Sequence, residues 1–114
     1  MENQPVPQVS RDDVLRIIAR DFPPEHRASM LQDLDTLTNP EIPRVQLAVL
    51  KLVNGRMGEL PRYLEMARVD YRDVLMWAEY PADAKVGWGE APEAHQDAYR
   101  ADREQYQTWL RREK

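Results

Sequence analysis

Ile42-Pro43-Arg44-Val45-Gln46-Leu47-Ala48-Val49-Leu50-Lys51-Leu52-Val53 is the stretch on which the fold turns. At about 100° per residue, Ile42, Val45, Leu47, Ala48, Val49, Leu50, Leu52 and Val53 cover nearly the whole circumference of a helix. They leave one narrow polar line, Arg44 and Lys51. A helix that is apolar on most sides must be enclosed by others. The sequence therefore predicts an all-α fold: a compact bundle with this segment at its centre, rather than an open two-layer array. Asn39-Pro40 opens the helix, Pro43 falls in the tolerated first turn, and Asn54-Gly55 supplies a left-handed stop.

Working outward, two helices precede the central one. Ser10 with Asp13 forms a capping arrangement, after which Val14, Leu15, Ile17, Ile18 and Phe22 make an apolar stripe that Pro23 ends. Pro24 suits a first helical turn, and Ala28, Met30, Leu31, Leu34 and Leu37 recur at helical spacing up to Thr38. Two more helices follow. Leu60, Tyr63, Leu64, Met66 and Ala67 mark the fourth. Asp70 caps the fifth, with Val74, Leu75, Trp77 and Ala78 as its apolar side, until Tyr80-Pro81 stops it. The predicted division is a flexible lead-in over 1–9, a bundle of about five short helices over 10–80, a tryptophan loop over 81–92, and a long amphipathic C-terminal helical arm over 93–114. No stretch alternates as a strand would.

Bulk properties narrow the function. The 114 residues, 42% hydrophobic and 32% charged, have the size and composition of one globular domain. A formal charge of −4 without any basic run argues against strong affinity for nucleic-acid backbones. No apolar run reaches the roughly 20 residues of a membrane helix, and the first residues lack a signal-peptide hydrophobic region, so a cytoplasmic protein is expected. The absence of cysteine removes thiol nucleophiles and thiolate metal sites. Arginine far outnumbers lysine and alanine is abundant, a balance that suits a GC-rich bacterial genome.

One local pattern has a known counterpart. In the run from Tyr63 to Ala78, the residues Tyr63, Ala67, Val69, Val74 and Trp77 stand at the spacing of five buried positions, with Asp70 as the cap between them. This resembles the bihelical core of helix-turn-helix proteins, which implies a corner of two packed helices and a DNA-contacting second helix. Arg68 stands where the turn usually has glycine, and Leu64 replaces a small residue. The second helix would offer Asp70, Tyr71, Asp73 and Glu79 with a single Arg72, a poor set for approaching phosphates.

The arm carries the other candidates. Ala91, Ala98, Tyr99, Tyr106, Trp109 and Leu110 fall on one arc of about 120° and require a covering surface, either the chain's own bundle or another protein. Tyr99, Tyr106, Trp109 and Leu110 are the expected contacts if a partner covers them. Trp88, between Gly87 and Gly89, is either a lid over the bundle or a further anchor. His95 and Asp102 interrupt the same arc seven residues apart, with Asp102 in helical reach of Tyr99 and Tyr106, which makes a polar ladder. With only His26 and His95, no histidine ligand pair exists, so neither a metal nor another cofactor is expected. The pairs Asp12-Asp13, Asp33 with Asp35, and Asp70 with Asp73 read as helix caps and solvated surface, so no catalytic residue is assigned. The leading expectation is a non-catalytic protein-interaction or adaptor module, with a protein partner or self-association, as a homodimer, through the arm. A helix-turn-helix DNA-binding regulator is the alternative, and a small carboxylate-dependent enzyme the third.

Overall fold

Ser10 starts the fold. Its backbone N–H donates to Asp13 Oδ2 at 3.0 Å, closing the capping arrangement that opens the first helix. The structure, a computed structural model, describes residues 9–38, 42–86 and 92–112. Over them run α1 (Arg11–Asp21), α2 (Pro24–Leu34), α3 (Ile42–Val53), a 3₁₀ turn (Met57–Glu59), α4 (Leu60–Glu79), α5 (Pro81–Val86) and α6 (Pro92–Arg111), with no strand among the described residues. Residues 1–8 of the expected lead-in, the Asn39-Pro40 opening, Trp88 with its flanking glycines and Ala91 of the expected arc lie outside the described residues, while Val9, the last residue of that lead-in, is partly buried against the core.

The central position of α3 follows from its composition. Val45, Leu47, Ala48, Val49, Leu50 and Val53 are all buried, and α3 packs most extensively on α4 and next on α1. Val14, Ile17 and Ile18 of α1, Met30 and Leu34 of α2, and Leu64, Ala67 and Val74 of α4 join the same core. Apolar burial at roughly 25 cal/mol per Å² is the force that holds them there. Two features of α3 run against the sequence reading. Gln46, in a nearly all-apolar helix, is buried too: its amide donates to the Leu34 carbonyl at 3.0 Å and so fastens the end of α2 to α3. Arg44, read as part of a polar line, is turned into a buried ion pair.

The arm does not stand apart from the bundle. Tyr106, Trp109 and Leu110 of α6 belong to the same hydrophobic cluster as α1, α3 and α4. Its end is tied down by Arg20 of α1, only 7% exposed, whose guanidinium donates to the carbonyls of Trp109 at 2.6 Å and Arg112 at 2.8 Å. Arginines close two other helix ends in the same way: Arg27 donates to the Ala19 and Phe22 carbonyls after α1, and Arg56 to those of Leu52 and Val53 after α3. A cation is favourable at each of these negative helix ends.

Three element boundaries differ from the expected ones. Helix α2 stops at Leu34, not Thr38, because the chain tightens into turns (Thr36 N–H to the Asp33 carbonyl, Leu37 N–H to that of Leu34) that still tuck Leu37 inward. Ala28, expected on the inner side of that helix, is exposed. The fourth and fifth helices run on as α4, bent at Asp70, whose φ of −156° and ψ of 99° are the only non-helical values inside it. The segment read as a loop from Pro81 contains α5, since Pro81 starts a helix as well as ending one.

Candidate functional site

Asp70 makes the corner of α4. Its carboxylate accepts the backbone N–H of Arg72 at 3.0 Å, so it is the cap the sequence indicated, and the Arg72 guanidinium folds back on it at 3.0 and 3.2 Å. That guanidinium, together with the backbone N–H, holds the Asp70 carboxyl below the usual carboxylate range. The corner departs from the helix-turn-helix pattern at two of its five buried positions: Val69 is 77% exposed and Trp77 is 44% exposed. Val69 immediately precedes the bend and points away from the core, and Trp77 lies about two turns beyond it. The bend therefore leaves Val69 in solvent, and the helix beyond it leaves Trp77 partly so. Among the described residues, Leu15 at 42% is the other exposed large hydrophobic.

A second group lies where α6 meets α5. Asp102 is fully buried, and its two oxygens accept the backbone N–H groups of Ala82 at 2.8 Å and Asp83 at 3.0 Å. Those amides open α5 and have no partner within the helix, so a residue of α6 caps α5 from outside. Asp83 in turn meets His95 Nδ1 at 2.8 Å. The ladder residues His95 and Asp102 are thus brought together, but through Asp83 and the start of α5 rather than through Tyr99 and Tyr106. Sequence reading misses Asp83 because it reads 81–92 as a loop, whereas Asp83 lies in α5. Pro81 in a first turn with Asp83 two residues on, a proline and an acid at a helix start, is the available signal.

The third group is internal. Arg44 of α3 binds Glu79 of α4 through two hydrogen bonds of 2.7 and 2.6 Å, with Glu79 fully buried. Removing one partner of such a pair leaves an uncompensated buried charge and costs roughly 3–5 kcal/mol. Two tyrosines border it. Tyr80, edge-on to Tyr99 with ring centroids 5.7 Å apart, has its phenol pushed up to about 12, chiefly by burial and further by Glu79. Tyr106, fully buried and edge-on to Trp109 at 5.4 Å, is pushed up more strongly for the same two reasons.

Of the expected partner contacts, Tyr106, Trp109 and Leu110 are thereby built into the chain's own core, and Tyr99 is half-buried against Tyr80. Near the end of α6, Arg20, Asp21, Asn54, Gly55 and Arg112 line a cleft of about 250 Å³. Its guanidiniums already serve Asp21 and the carbonyls of α6. Asn54 and Gly55 line it because the stop after α3 is left-handed at both, φ 53° and 79°. No described helix is long and apolar enough to cross a membrane. No protein family matches this chain, and neither does any curated protein or solved structure.

Proposed function

We propose that the protein is a non-catalytic interaction module that binds another protein through the outer side of the α4 corner. The observation that supports this reading is the exposure of Val69 beside the bend that the Asp70–Arg72 pair caps, and of Trp77 on the helix beyond it. Large apolar side chains cost free energy when left in water, and tryptophan is among the residues that dominate binding when a partner encloses it. The corner is held by its own cap, so little ordering is required on association. Arg72 and Asp73, both exposed, supply a polar rim. The arm, expected to present the contact face, acts in this reading as the support that fills the core behind the bundle.

The test is a quantitative comparison of proteins retained from the native host extract by the wild-type chain and by the double variant Val69→Ser, Trp77→Ser. Both sites are exposed, so the variant should unfold within about 1 kcal/mol of wild type. The expected result is a specific protein held by the wild type and lost with the variant. Equal retention by both would overturn the assignment of the surface. A self-associating chain would instead show a sedimentation coefficient that rises with concentration and loses that rise in the variant.

A further inference from the structure

The stop after α3 leaves one peptide unit unheld. Asn54 and Gly55 are exposed and left-handed, φ 53° and 79°, and both line the cleft of about 250 Å³ that also holds Arg20, Asp21 and Arg112. The turn is fixed on either side of their shared peptide. Asn54 N–H donates to the Leu50 carbonyl and Arg56 N–H to that of Val53, each at 3.0 Å, while the Arg56 guanidinium holds the Leu52 and Val53 carbonyls. Among the described residues, neither the Asn54 carbonyl nor the Gly55 N–H makes a hydrogen bond. Little surrounds the glycine: a Cβ placed there would meet only the Asp21 carbonyl oxygen, at 3.7 Å.

An asparagine side chain can be attacked by the amide nitrogen of the next residue, and a glycine there offers no side chain to shield that nitrogen. The Asn54–Gly55 peptide can turn about its own ends while every hydrogen bond that closes α3 stays in place, so the attack needs only a local motion. We infer that Asn54 is a deamidation site that reacts in the folded protein, with water as the co-reactant. The Gly55 nitrogen gives its proton to solvent base and bonds to Cγ of Asn54. The bond from Cγ to the side-chain nitrogen breaks, and ammonia leaves with the electron pair and a proton from water. Water then opens the cyclic imide at either carbonyl, giving aspartate or isoaspartate at position 54. The cleft gains a second carboxylate beside Asp21, facing the guanidiniums of Arg20 and Arg112. That charge also sits at the negative end of α3, where an anion is unfavourable.

Ageing the full chain in neutral buffer tests this, with aspartate and isoaspartate at position 54 followed by peptide mass spectrometry and the fold checked by circular dichroism at each time point. The same chain aged in denaturant gives the rate without structure. If only a local motion is needed, the folded rate should lie within about tenfold of the denatured one. A reaction that had to wait for global unfolding would be slower by about a thousandfold or more. Slowing of the folded chain beyond tenfold would overturn the inference. So would a product that contains aspartate without isoaspartate, because opening of the cyclic imide yields both.

Discussion

The Tyr106 hydroxyl is buried near the Arg44–Glu79 pair and has no hydrogen-bond partner among the described residues. A buried polar group left unpaired costs roughly 1–3 kcal/mol, whereas its ring contributes the packing. Tyr106→Phe keeps the ring and is expected to raise stability by about 1 kcal/mol in urea denaturation. A loss of that size would show that the hydroxyl is bound. The same variant carries a pH signature. Burial and the charge of Glu79 raise the folded pKa of Tyr106 above the unfolded value of about 10. A phenol shifted in that direction contributes stability that is fully present below about pH 10 and is lost as the pH rises toward the folded value. Wild-type stability should therefore fall above about pH 10. The Phe variant should fall less steeply, with Tyr80 accounting for part of what remains.

At the scale of elements, α5 is the one most dependent on a single distant side chain. It has six residues, none of them buried, and its first amides are satisfied by Asp102 across the interface with α6. Asp102→Ala should cost about 1–2 kcal/mol, the upper part of the range for a helix cap, and should speed amide exchange in α5 before α3 responds. Unchanged exchange in α5 would show that other contacts hold it. This dependence also marks where the sequence stopped being legible. Helix α3 could be read from its apolar circumference, and the ends of α1 from Ser10, Asp13 and Pro23, because those signals are local. The cap of α5 joins residues about twenty positions apart, and the Arg44–Glu79 pair joins residues 35 apart. Nothing in either segment announces its partner. The α4 corner is legible in part: Asp70 reads as a cap, but the helix-turn-helix pattern places Val69 and Trp77 in the core, and both are exposed.

For the molecule as a whole, the decisive feature is that α6 completes the core of its own chain. The apolar arc of the arm required a covering surface, and sequence alone did not say which one. Burial of Tyr106, Trp109 and Leu110 with α1, α3 and α4 answers that, and Arg20 fixes the end of the helix in place. With the apolar arc of the arm in the core, the surface proposed for a partner is the one at the bend of α4. The measurement that tests this most directly is amide hydrogen exchange of the full chain over a hundredfold range of protein concentration. With α6 integral to one cooperative core, the amides of residues 102–110 should be protected to the same free energy as those of α3, at every concentration. Protection of α6 that is much weaker than that of α3, or that grows with concentration, would contradict the account and return the arm to the role of an intermolecular contact.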